Sequence, residues 1–355
     1  MKRIAVLPGD GIGPEVTEAA VKAIKKAAVK YNIDISLEYG KIGGIAIDET
    51  GSPFPETTEA LCQRADAILL GAVGGEKWND LPSEKRPESG LLSMRKKVGT
   101  FANLRPASIM PGMEGASPLA PRIIGDGFDI LFVRELTGGI YFGEKGVSLS
   151  DDSHIAWDKM SYSEMEIKRI ARMAFEEAFK RRKNLVSVDK ANVLKSSRLW
   201  RQTVENMSKE YPSVKLRHMY VDNAAMQLVI NPRQFDVILA PNMFGDILSD
   251  EAAAITGSIG LLASASLRAD GKGIYEPIHG SAPDIAGKDI ANPIAAILSA
   301  AMLLRHAFGE EKAASSIEAA VYKVLKEGKR TLDIARENEI PIGTMEMTKE
   351  IITRM

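Results

Sequence analysis

The sequence predicts an α/β protein built on a largely parallel sheet. Two observations point there. Short apolar runs alternate with stretches of helical periodicity, and polar residues recur just after the apolar runs. Residues 3–7 are β-rich and lead into 14–30, where apolar side chains recur at three- and four-residue spacing. Residues 67–70 are apolar and end in Gly71-Ala72-Val73-Gly74-Gly75, and 128–133 form another strand candidate. A long helix is expected over 163–183. Ser163 and Glu166 have capping-box spacing, and Arg181, Arg182 and Lys183 suit the negative end of its dipole. A strand over 185–188, a helix over 197–209, a strand over 214–220, a helical stretch from Asn223, a strand over 235–239 and a helix from Gly245 complete a run of βαβ units.

One segment breaks the rhythm. Residues 138–157, GGIYFGEKGVSLSDDSHIAW, carry β-type runs around Gly and Asp turns and read as a protruding hairpin or as a surface loop. An exposed ribbon needs cover, and a partner subunit would supply it.

Composition narrows the function classes. The 355 residues favour two domains, and 45% hydrophobic with 26% charged residues is an ordinary globular balance. With 46 basic against 47 acidic residues, the chain lacks the basic field of a nucleic-acid binder and the polybasic anchor of a membrane-surface protein. The apolar stretches 252–267 and 290–304 contain Gly, Ser or Pro and are too short for a membrane span. Cys62 is the single cysteine, which excludes a disulfide framework. The opening MKRIAVLPGDGIG has no signal-peptide core, so a cytoplasmic protein is expected.

In open α/β sheets, ligands bind beyond the carboxyl ends of the strands. Here those ends deliver Asp189, Lys190 and Asn192; Asp222 and Asn223; Asn242 and Asp246; and Arg134 with Glu135. Asp246 and Asp250, four apart, share one helix face. A divalent cation with hard oxygen ligands relieves their repulsion, and Asp222 would complete a Mg²⁺ or Mn²⁺ site; a solvated acidic face is the alternative. Arg95, Arg105 and Arg134 offer forks for a dicarboxylate, or are ordinary salt-bridging arginines. The Gly9-Asp10-Gly11-Ile12-Gly13-Pro14 segment fails the Rossmann fingerprint, because its third glycine comes one position early; Asp34 does not rescue it, and no P-loop exists. Residues 273–293, GIYEPIHGSAPDIAGKDIANP, are a candidate nucleotide segment or a structural Gly/Pro loop. In the first reading His279 would meet a base and Asp284 a ribose, favouring NAD over NADP.

Taken together, LPGDGIGPE, RPESGLLSMR, FANLRP, VRELTGGIYFG, VDKANVL, NMFGDILSDEAA and YEPIHGSAPDIAGKDIANP resemble the 3-isopropylmalate dehydrogenase family, within the isocitrate/isopropylmalate dehydrogenase superfamily. The resemblance runs from end to end. It implies a non-Rossmann two-domain α/β fold with a shared mixed, largely parallel sheet and a cleft between the domains. The first domain would comprise 1–100 plus 258–355 and the second 101–257, with an arm hairpin at about 138–158 joining a homodimer. It further implies that Arg95, Arg105 and Arg134 grip the substrate carboxylates and that Tyr141 and Lys190 transfer protons. Lys190 and Asp222 would come from the partner subunit, and Asp222, Asp246 and Asp250 would hold Mg²⁺ or Mn²⁺. Ile12, Asn192, Glu276, His279, Gly280, Ser281, Ala282, Asp284 and Asn292 would hold NAD⁺. Glu88, Leu91 and Leu92 would sit in the loop that selects the substrate side group. Two departures stand out: residues 267–272 are more charged than usual, and Asp289 replaces a common glycine. Rival readings are a tartrate or D-malate dehydrogenase of the same superfamily, a Mg²⁺-dependent phosphotransferase, and a non-catalytic binding protein.

Overall fold

The structure is a computed structural model that describes residues 1–150 and 153–355; residues 151 and 152 of the expected arm lie outside them. In chain order the strands are β1 (Lys2–Gly9), β2 (Ile35–Tyr39), β3 (Ala67–Ala72), β4 (Ala102–Ser108), β5 (Asp129–Glu135), β6 (Lys145–Ser150), β7 (Ser153–Asp158), β8 (Asn184–Asp189), β9 (Lys215–Tyr220), β10 (Val237–Ala240), β11 (Ala263–Leu267) and β12 (Gly273–Pro277). The chain divides into two units. One comprises Met1–Thr100, Ile109–Pro118 and Thr256–Met355, the other Phe101–Ser108 and Leu119–Ile255.

In the first unit the strands run β2-β1-β3-β12-β11, parallel except for β11 against β12. Every residue of β3 is buried, as expected for a strand covered on both faces. Helix Ile294–His306 is buried continuously from Ile294 to Leu304, so the apolar stretch around it belongs to a core helix. Among the described residues no helix is long and apolar enough to cross a membrane. Helix Gly13–Tyr31 packs on that core helix, buries Ala19, Ala20, Ala23 and Ala27 among its residues, and ends at Asn32 in the left-handed conformation. Cys62 is buried, and burial pushes its thiol up to about 12, so it carries no thiolate chemistry.

Two expectations change here. The segment expected as a substrate-selecting loop is helical: Glu88, Leu91 and Leu92 lie on helix Pro87–Val98. Pro87 suits the first turn, Glu88 the positive end, and Gly99 closes the helix in the left-handed region. The start of the candidate Gly/Pro loop is the buried strand β12.

Asp289 also finds a physical role. Its φ is +57°, where glycine is ordinarily favoured. Its carboxylate Oδ1 accepts from Met345 N at 2.8 Å and its carbonyl from Thr344 N at 3.1 Å, so it caps helix Thr344–Arg354 from a distance. Asp289→Ala loses the cap and keeps the strained backbone, and it is expected to destabilise by about 2 kcal/mol. Asp289→Gly loses the cap but relaxes the backbone, and should stay within about 1 kcal/mol of the parent. Urea unfolding at matched slopes checks both; equal losses for the two variants would contradict this account.

In the second unit the strands run β4-β5-β10-β8-β9, parallel except for β4 against β5. The capping box at Ser163 and Glu166 forms as expected, but helix Glu164–Lys180 ends earlier than its charge pattern suggests. Lys183 turns left-handed (φ +59°) to feed β8. Arg181 bridges to Asp129 and Asp236 instead of serving the helix terminus. Strands β6 and β7 form an antiparallel hairpin with no buried residue. Val147 and Leu149 are exposed on one face of the ribbon, and Ile155 and Trp157 on the other.

Candidate active site

In the second unit β5, β10, β8 and β9 run parallel, so their carboxyl ends lie along one edge. Arg134 is the penultimate residue of β5, Lys190 follows β8, Asp222 follows β9, and β10 feeds helix Asn242–Thr256, which carries Asp246 and Asp250.

The helical repeat stacks Asp246 and Asp250 one turn apart, and Arg105 on β4 reaches both. Its Nη1 donates to Asp250 Oδ1 at 2.9 Å and lies 3.4 Å from Asp246 Oδ1. The Arg105 Nε is held by Asn103 Oδ1 at 2.7 Å. Arg134 is buried and pairs with Asp246 through Nη1. The Tyr141 hydroxyl donates to Asp246 Oδ2 at 3.2 Å. Burial, reinforced by Asp246, raises the Tyr141 phenol above its ordinary value, so it is a neutral proton donor at neutral pH. Two carboxylates, two guanidiniums and a phenol therefore converge.

Asn242 organises this group. Its Oδ1 accepts from Arg134 Nε (3.1 Å) and Nη2 (2.8 Å), and its Nδ2 donates to the Gly138 carbonyl at 3.2 Å. Glu135, grouped with Arg134 by sequence, turns inward and is fully buried. It accepts from Thr137 N and Gly138 N, both at 2.8 Å, and so shapes the turn that leads to Tyr141.

Lys190 and Asp222 form a second group, with Lys190 Nζ donating to Asp222 Oδ1 at 2.6 Å. That bond holds the Asp222 carboxyl below the usual carboxylate range. One chain thus brings Asp246 and Asp250 to Arg105, and Asp222 to Lys190. Among the described residues, no three His, Cys, Asp or Glu side chains gather as a metal site. Asn192 is exposed in the loop after Lys190.

In the first unit, the 9–13 loop packs against the 279–284 loop. Ile12 N donates to the Ser281 carbonyl at 2.7 Å, and a Cβ on Gly11 (φ +58°) would stand 2.0 Å from that same oxygen, so only glycine fits. Gly280 has open space where a Cβ would stand. His279 Nε2 is buried without a partner, and burial lowers the imidazole pKa. Ala282 takes φ +37°, and Asp284 is exposed. Two expected ligand residues are engaged within the chain. Glu276 accepts from Arg95 Nη2 at 2.8 Å, and Asn292 donates to Asp333 Oδ2 at 3.0 Å while accepting from Ile294 N. Leu91 packs against the apolar core beside Val73 and Val98, whereas Leu92 and Glu88 are exposed.

Sequence reasoning missed the role of Asp10. Its buried carboxylate accepts from Gly44 N (2.8 Å), Ile45 N (2.8 Å) and Gly74 N (2.9 Å), tying its own loop to the start of helix Gly44–Thr50 and to the loop at Gly74. It also missed Arg198 and Arg201 behind the Lys190 loop. Their three-residue spacing just after VDKANVL was the available signal.

The sequence model described as "Isocitrate/isopropylmalate dehydrogenase" matches residues 3–351. This chain belongs to the isocitrate/isopropylmalate dehydrogenase family. A 3-isopropylmalate dehydrogenase from Clostridium acetobutylicum is 55% identical over 353 residues, covering 99% of both chains. One from Bacillus licheniformis is 58% identical over 341 residues, covering 95% of this chain and 92% of that one. Among solved structures, an isocitrate dehydrogenase from Methylococcus capsulatus matches with a TM-score of 0.87 at 35% identity, covering 100% of this chain and 99% of that chain. A β-decarboxylating dehydrogenase from Thermococcus kodakarensis matches at 0.81 and 37%, covering 100% and 96%. Membership of the isocitrate/isopropylmalate dehydrogenase family accords with the failed Rossmann fingerprint: here Gly11 serves contact with the 279–284 loop, while Gly9 and Gly13 lie close against Ala72.

Proposed function

We propose that the protein catalyses the NAD⁺- and divalent-metal-dependent oxidative decarboxylation of 3-isopropylmalate to 2-oxo-4-methylpentanoate and CO₂, a step of leucine biosynthesis. The observation that carries this reading is the full-length likeness to 3-isopropylmalate dehydrogenases at 55–58% identity.

The residues present fit both expected groups. Asp246 and Asp250 present oxygens to one cation already, the Arg105 guanidinium, and an all-carboxylate donor set suits Mg²⁺ or Mn²⁺. Asp222 of a second copy would complete the set. The open space at Gly280 and the unpartnered His279 Nε2 fit a nucleotide lying along the 279–284 loop. Ile12, Asn192, Glu276, Ser281, Ala282, Asp284 and Asn292 are assigned to the same cofactor. When bound, NAD⁺ would supply the hydride acceptor, and a divalent cation would supply positive charge that stabilises developing negative charge on oxygen.

The protein's own residues do the rest. Arg95, Arg105 and Arg134 bind the two carboxylates, and binding requires the Arg105 and Arg134 ion pairs to be shared with substrate. Lys190, in its neutral amine form, accepts the C2 hydroxyl proton as the C2 hydride departs. The C3–carboxylate bond then breaks, its electron pair passes to the adjoining ketone as CO₂ leaves, and the neutral Tyr141 hydroxyl returns a proton to C3. Glu88, Leu91 and Leu92 form the face that meets the isopropyl group.

The exposed apolar residues on both faces of the β6–β7 hairpin support a homodimer. Lys190 and Asp222 then serve the site of the opposite copy.

The direct test is NADH absorbance with isopropylmalate and Mn²⁺, with CO₂ released in equal amount; no NADH would overturn the reading. A second expectation concerns the exposed Asp284 carboxylate. Asp284→Ala should raise the KM for NAD⁺ by about tenfold, the cost of lost ribose hydrogen bonds, and narrow the NAD/NADP preference. An unchanged preference would remove Asp284 from the ribose site.

A further inference from the structure

We infer that Arg201 is a positioning residue that holds Lys190 and Asp222 in register. This rests on the proton-transfer role proposed for Lys190. Arg201 sits on helix Lys195–Ser208. Its Nε donates to Asp189 Oδ2 at 2.8 Å and its Nη2 to Asp189 Oδ1 at 2.9 Å, a two-pronged grip on a fully buried carboxylate. The same Oδ1 accepts from Ala191 N at 2.9 Å. The carboxylate just before Lys190 therefore fixes the amide just after it.

The other end of Arg201 reaches β9. Its Cζ lies 5.0 Å from the centroid of the Tyr220 ring. Tyr220 is the register partner of Asp189 and stands two residues before Asp222. One guanidinium thus spans the two strand ends from which Lys190 and Asp222 depart. Arg198, one turn earlier on the same helix, donates from Nε to the Ala191 carbonyl at 2.9 Å and braces the loop from the same side. Among the described residues, no other cation lies within hydrogen-bond distance of Asp189. The remaining basic group facing it is His218, whose Nδ1 is 4.0 Å from Oδ2. Both His218 ring nitrogens are buried without hydrogen bonds.

Loss of the clamp leaves Asp189 buried and uncompensated, and its loop shifts to find water. The chemistry that follows depends on the placement of one amine, so the loss should fall on kcat. Arg201→Met should lower kcat about 100-fold, the cost of a misplacement of roughly 1 Å. The KM values for isopropylmalate and NAD⁺ should stay within about threefold, since Arg201 contacts neither. Arg201→Lys, which restores charge with a single prong, should recover part of the loss. Asp189→Asn combined with Arg201→Met should cost no more than Arg201→Met alone, because both remove one interaction.

Amide hydrogen exchange followed by mass spectrometry supplies a readout that needs no turnover. In Arg201→Met, exchange should rise by about tenfold in the 189–194 and 220–224 segments together. Wild-type-like kcat, or exchange unchanged in both segments, overturns the inference. If Arg201→Met does not fold, Arg201→Lys and Asp189→Asn carry the same comparison. If the wild type fails to oxidise isopropylmalate, the proposed function falls. The exchange experiment then still decides the clamp, with a joint rise supporting it and no rise refuting it.

Discussion

Lys190→Met is expected to lower kcat by about 10³-fold or more, within the range for a lost general acid–base group. Lys190 leaves the end of β8 through a loop pinned by Asp189, and its only hydrogen-bond acceptor among the described contacts is Asp222. Methionine fills the same volume without a basic nitrogen, so the loss isolates proton transfer from packing. Asp222 is exposed, and an ion pair of this kind contributes little to stability. The variant should therefore keep its circular-dichroism spectrum and its urea midpoint. Isopropylmalate binding should change little, because the carboxylates are assigned to arginines. Residual kcat within tenfold of the parent would remove Lys190 from the chemistry. A collapse of the midpoint would show that the pair is structural.

Substrate choice is the second large expectation. The helix Pro87–Val98 offers methyl groups at Leu91 and Leu92. Burying an isopropyl group against them is worth roughly 2 kcal/mol, at about 0.8 kcal/mol per carbon. Burying the third carboxylate of isocitrate there, with no partner, costs several kcal/mol. Together these favour isopropylmalate by about 10³-fold or more in kcat/KM, taking 1.4 kcal/mol per decade. Leu91 is packed on the core, while Leu92 projects outward. Leu92→Ser should therefore erode the preference at little cost in stability, whereas Leu91→Ser should also lower the unfolding midpoint. Competition kinetics across isopropylmalate, isocitrate, D-malate and tartrate measures the effect. Equal kcat/KM for isopropylmalate and isocitrate would refute it, and a preference for D-malate or tartrate would move the chain to a different specificity within its family.

Much of this architecture is legible in the sequence, for identifiable reasons. The βαβ rhythm from 163 to 256 is carried by local signals: a capping box, apolar periodicity, and polar residues at strand ends. The Asp246–Asp250 face follows from helical geometry alone. What escaped depends on contacts distant in sequence. Strand β4 reads ANLRPAS, whose proline and polar residues hide a strand that is specified by pairing with β5. The 87–98 helix is masked by Pro87, Ser89 and Gly90, which resemble a loop until Pro87 is placed in the first turn. Asp10 looks like a turn residue, yet its three donors, at a helix start and a loop, lie more than thirty residues away. Arg201 looks like a surface arginine until helix 195–208 lays it across two strand ends. Asp289 is legible only as an oddity, because its purpose lies at the start of the last helix.

The central claim is that each active centre joins Asp246 and Asp250 of one chain to Lys190 and Asp222 of another. Intersubunit complementation tests it directly. Lys190→Met and Asp246→Asn variants, each inactive alone, are unfolded together and refolded as a mixture. Half of the dimers should be mixed, each with one intact and one doubly altered centre, so activity should return to about a quarter of the wild-type value. A mixture as inactive as its two components would contradict the account.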